Sequence, residues 1–270
     1  MSSSYNPPPD TPELEPSLPE VQLPVAPREN PVWTVPDVML MALVAFISLL
    51  VFTMLSFFIA RNLPGLSRYS ATDLAKSPLV LLPPETLAYL ATFGFMAFLV
   101  RRRSWEPFWR QVKWNWPSNF FLLGGTGVLL AILAESSSRF LPIPKSLPID
   151  EYFRDRSSAY FMMVFGITVA PFFEELFFRG FLYPALFRPL KFWGALIVNS
   201  FLFALLHQEQ LAHAWAPLFM LFIIGMVLTW VRARMQSVAA SFLVHAFYNA
   251  TLFATLFIGP GGFRHMERMG

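Results

Sequence analysis

Residues 171–180 read P-F-F-E-E-L-F-F-R-G. Two adjacent carboxylates, Glu174 and Glu175, and one cation, Arg179, sit inside an otherwise apolar run over about 160–187. That run is long enough to cross a bilayer. Ionisable groups at such depth are costly and face a partner or a water-filled cavity. Three of them within six residues point to a functional site.

The rest of the chain supports a membrane setting. Of 270 residues, 55% are hydrophobic and only 14% charged, with mean hydropathy +0.50. Apolar segments lie at about 38–60, 79–100, 119–134, 160–187, 192–207, 217–231 and 238–258. They predict an all-α, polytopic helical membrane protein with about seven transmembrane helices. Strands are not expected, because an open sheet cannot satisfy its edges in lipid. Membrane lipids are therefore expected partners. The net charge of +3 is small and its basic residues flank apolar segments, so nucleic acid is not an expected partner. With no cysteine, disulfides and thiolate metal sites are excluded. The distribution of Arg and Lys between loops favours a cytoplasmic N-terminus.

Composition divides the chain further. Residues 1–35, rich in Pro, Ser and Glu, predict a disordered tail. Residues 36–134 hold the N-terminal transmembrane helices, 135–158 a polar loop, 159–258 the core with the charged motif, and 259–270 a polar C-terminal tail. Pro83 and Pro84 place the start of the second helix near Pro84. Gly124, Gly125 and Gly127 permit close helix contact in the third. Pro171 and Pro184 interrupt the fourth segment.

Helical phase separates the three charges. Glu175 and Arg179 are four apart, share a face and can pair. Glu174 is rotated by about 100° and is free to face a cavity. A carboxylate so placed can take a proton from water, as a general base must. A Glu–Arg pair alone could be a structural staple, but that leaves Glu174 without a role.

Further polar residues bear on this. His207 closes the fifth segment as F-A-L-L-H, and His245 and Asn249 sit in the seventh as H-A-F-Y-N. Counted inward from the basic side, Glu174 and these three residues all fall inside the hydrocarbon layer, spread over roughly 10 Å. Two mechanisms fit them. In one, Glu174, His207 and His245 bind a divalent metal, zinc by preference, with Asn249 close by and a position left open for water. In the other, Glu174 and His207 activate water directly, while His245 and Asn249 donate to the developing oxyanion. The zinc motif H-E-x-x-H is absent. Asn199 reads as interhelical glue. Glu85, near a segment end, reads as reaching the interface.

E-E-L-F-F-R, F-A-L-L-H and H-A-F-Y-N resemble the E-E-x-x-x-R, F-x-x-x-H and H-x-x-x-N motifs of the CAAX-protease and bacteriocin-processing family of intramembrane proteases. That family includes the type II CAAX prenyl endopeptidases. The resemblance covers about residues 160–255 and shows no departure at the motif positions. It implies hydrolysis of a peptide or membrane-protein substrate within the membrane, in an integral multi-pass protein of the bacterial cytoplasmic membrane. It also implies that Glu174 is the base and His207 its partner, with Glu175 and Arg179 structural. His245 and Asn249 would stabilise the oxyanion or tune the site. Members have been described both as metalloproteases and as metal-independent glutamate proteases, so the resemblance leaves zinc open. A non-catalytic membrane scaffold or immunity-type binding protein is the alternative. A proton-relaying transporter lacks the expected paired half-helices.

Overall fold

The computed structural model describes residues 29–144, 147–153 and 156–258. Among these residues the structure is helical, with no strand. The first half contains α1 (Val35–Asn62), the one-turn α2 (Ala71–Leu74), α3 (Pro78–Arg103), the one-turn α4 (Phe108–Gln111) and α5 (Phe120–Ser138). After a 3-10 turn at Pro148–Phe153 come α6 (Arg156–Val164), α7 (Ala170–Glu175), α8 (Tyr183–Leu206), α9 (Trp215–Met235) and α10 (Val238–Ile258). Two π-helical segments, Phe165–Val169 and Leu176–Leu182, flank α7.

Among the described residues, six helical runs are long and apolar enough to cross a membrane. The longest, Ser157–Leu206, has 50 residues, and a straight helix of that length would far exceed the roughly 30 Å of a hydrocarbon core. It is broken at Lys191, where φ is 59° and ψ is −170°. The chain doubles back there, since the rings of Phe178 and Phe203 lie 5.2 Å apart across the break. The fourth and fifth apolar segments are therefore two passes of one helical run.

Helix boundaries follow local chemistry. Thr34 and Asp37 form a capping box that starts α1. Asp37 also receives Arg103 from the end of α3, which staples the two helices. The second span starts at Pro78, six residues before the expected Pro84. The prolines are tolerated because Pro84 would orphan the Val80 carbonyl four residues back, and the Ser56 hydroxyl of α1 donates to that carbonyl at 2.7 Å. The third span continues to Ser138, so the expected polar loop begins later than residue 135. Its glycines divide in use. A Cβ on Gly127 would collide with the Val244 carbonyl of α10, and one on Gly124 would press on Phe247 at 3.3 Å, whereas Gly125 faces open space.

Residues 1–28 and 259–270 of the two expected tails lie outside the described residues. The remainder of the N-terminal stretch packs firmly. Trp33 is fully buried and its indole donates to the Phe181 carbonyl at 2.9 Å. Glu29 is buried against Arg232 and Lys113. An apolar indole and a doubly paired carboxylate outweigh the proline-rich composition at residues 29–34. Many large apolar side chains on α1, α3 and α5 point outward, among them Phe46, Phe58 and Phe121.

Candidate active site

The site is assembled where α7, α8, α9 and α10 meet. Glu175 and Arg179 are fully buried, and the Arg179 Nη1 donates to Glu175 Oε1 at 2.8 Å. The remaining guanidinium nitrogens are also used. Nη2 donates to the Gly225 carbonyl at 3.1 Å and Nε to Thr229 Oγ1 at 3.4 Å. Thr229 in turn accepts from Asn199 Nδ2 at 2.9 Å, so Asn199 braces the arginine from α8. The Phe203 ring lies 4.5 Å from the guanidinium carbon, a cation–π contact in an apolar setting.

Glu175 has a second task. His245 Nδ1 lies 3.0 Å from the same Oε1. A carboxylate paired with arginine can only accept, so Nδ1 carries the hydrogen. That fixes the ring and turns Nε2 toward Glu174, whose Oε2 is 3.8 Å away. Glu174 keeps 19% of its side chain exposed, against none for Glu175. The gap between Nε2 and Oε2 exceeds a direct hydrogen bond and lets one water oxygen touch both.

The other two expected residues stand differently. His207 is half-buried at the end of α8, and its Nδ1 bonds the Phe203 carbonyl at 2.9 Å. Its ring lies tilted against Phe203 at 4.9 Å, and Phe203 meets His245 at 5.8 Å, so one phenyl ring separates the two imidazoles. Asn249 donates to the Gly166 carbonyl at 2.7 Å and is thus engaged with the backbone before α7. Among the described residues no group of three His, Asp or Glu side chains could hold a metal ion. Glu174, His207 and His245 do not form a ligand set in this geometry.

Sequence reasoning missed two contributors from α3. The Tyr89 hydroxyl donates to Glu85 Oε1 at 3.1 Å, and its ring stacks on Phe173 at 4.8 Å. Both Glu85 and Tyr89 lie within electrostatic reach of Glu174. Glu85 therefore faces the site and not the interface. Its only signal was a carboxylate four residues from a tyrosine in an apolar helix. Thr229 was also missed, since a threonine in a span carries no distinctive pattern.

Residues 156–251 match the family model described as type II CAAX prenyl endopeptidase Rce1-like. Over those residues the chain is similar to that family of membrane proteases. No curated protein and no solved structure matches the chain. The matched stretch contains every residue of the Glu174–His245 constellation, while α1 and α3 lie outside it. Glu85 and Tyr89 thus approach Glu174 from beyond the matched residues.

Proposed function

We propose that this protein is an intramembrane endopeptidase in which Glu174 takes a proton from water. The observation that carries the reading is the asymmetry of the two glutamates. Glu175 is buried and spent on Arg179 and His245, while Glu174 is partly exposed across a water-sized gap from His245 Nε2. Water held in that gap loses a proton to Glu174 and its oxygen attacks the scissile carbonyl. The tetrahedral intermediate collapses when Glu174 returns the proton to the leaving amine, so protons balance. His245 holds the attacking water, and His207 stands on the other side of the Phe203 ring. This assigns to His245 the water-holding part that sequence reasoning gave to His207. Asn249, bound to the Gly166 carbonyl, supports the backbone in this reading.

The aromatic wall of Phe172, Phe173, Trp114 and Tyr89 limits bulk water around the carboxylates. Lower dielectric strengthens each polar contact inside. The substrate class that the family description suggests is a peptide with a C-terminal CAAX sequence, prenylated at its cysteine.

The test is cleavage of such a peptide by purified protein, with an unprenylated membrane-helix peptide as comparison. Glu174→Ala should lower turnover by about 10²–10⁴-fold, the usual worth of a general base, without lowering thermal stability. Unchanged turnover refutes the reading. Metal analysis, with turnover before and after chelation, decides whether a metal takes part.

A further inference from the structure

The α7 helix that carries Glu174 is suspended between two π segments, and each segment ends against a proline. In a π-helix each carbonyl accepts from the N–H five residues on. The Ala170 N–H goes back to Phe165, so the next carbonyl, Gly166, would need residue 171. That residue is Pro171, which has no N–H. The Tyr183 N–H goes back to Phe178, so Arg179 would need residue 184. That residue is Pro184. Two carbonyls flanking Glu174 and Glu175 are left without their helical donor, at a depth where an unpaired carbonyl is costly.

Side chains from the last two helices fill both positions. Asn249 of α10 donates to Gly166 at 2.7 Å, and the Arg232 Nε of α9 donates to Arg179 at 3.1 Å. Arg232 is fully buried and would be costly alone. Glu29 neutralises it, accepting Nη1 at 2.8 Å and Nη2 at 3.3 Å. Lys113 and Gln236 close the remaining sides of Glu29. Trp33, four residues on, holds the Phe181 carbonyl of the same π segment.

We infer that Arg232, locked by Glu29, is a positioning residue of the protease site. It replaces the N–H that Pro184 lacks and so fixes the π turn on which Glu175 and Arg179 are set. The segment 29–33, outside the matched protease domain, is part of the active-site support. The inference rests on the proposed peptidase reading for its effect on turnover. Its effect on the backbone is independent of that reading.

The test removes the donor without leaving a buried charge, in a Glu29→Gln/Arg232→Met variant. In this variant, kcat should fall by about 10-fold or more at nearly constant KM, since small misplacements of catalytic groups are that costly. Adding Pro184→Ala restores an N–H at residue 184 and should recover most of kcat. A purely structural Glu29–Arg232 pair would gain nothing from that third change, so failure of rescue overturns the inference, as does wild-type kcat in the double variant. Amide hydrogen exchange of residues 176–186 gives the second reading. Faster exchange confined to that stretch in the double variant, reversed by Pro184→Ala, supports the clamp. Unchanged exchange overturns it even if wild-type protein cleaves no peptide.

Discussion

The two adjacent glutamates differ in what each can lose. Glu175 answers to a buried cation and a buried histidine through one oxygen, so two donors on different helices depend on it. Removing Arg179 leaves that carboxylate unpaired in an apolar interior, a change worth about 3–5 kcal/mol. Arg179→Met should therefore lower the thermal midpoint in detergent sharply, whereas Glu174→Gln should leave it near wild type. Equal midpoints for the two variants would contradict this division. The division itself was legible in the sequence, because a spacing of four places Glu175 under Arg179 and turns Glu174 away. The engagement of Asn249 was not legible. Its four-residue spacing from His245 puts both on one face but says nothing about depth along the helix. One turn carries Asn249 from the carboxylates to the Gly166 carbonyl.

Elements in this protein are continuous across prolines because neighbours supply the missing donors. Ser56 serves Val80, Asn249 serves Gly166 and Arg232 serves Arg179. This is why the sequence misplaced the start of α3 and read plain interruptions at Pro171 and Pro184. A proline announces a lost N–H, but the donor that compensates lies on another helix and leaves no local trace. Small residues were easier to read. Gly127 sits where α5 crosses α10, and a methyl group there would meet backbone atoms of Val244 and Tyr248. Backbone cannot yield as a side-chain tip can, so Gly127→Ala should destabilise by about 1–3 kcal/mol, read as a lower thermal midpoint. Gly125→Ala, in open space on the same helix, is the matched control and should be neutral. A neutral Gly127→Ala would mean that α5 and α10 cross elsewhere.

At the scale of the whole molecule, the basic ends of separate segments converge on one short stretch of chain. Arg232 and Lys113 meet Glu29, and Arg188 meets Asn30 and Pro31. The basic ends of these segments thus form a clamp, with the N-terminal segment drawn across the end of the matched stretch. Composition concealed this, because the anchoring residues follow directly on a proline-rich run. The clamp has a pH signature. Burial alone would raise the Glu29 carboxyl, but the Arg232 guanidinium and the Lys113 ammonium together hold it below its ordinary 4.5. A carboxyl lowered in the folded state contributes stability that is fully present above the unfolded value and is lost as pH falls through the folded one. Wild-type protein should accordingly keep its margin over Glu29→Gln from neutral pH down to about pH 5. Below the ordinary 4.5 the margin should shrink, because protonated Glu29 and glutamine both leave Arg232 without its counter-charge. Thermal midpoints of the two proteins, measured across that window, should converge on acidification. Parallel curves throughout would show that Glu29 does not hold the clamp by charge.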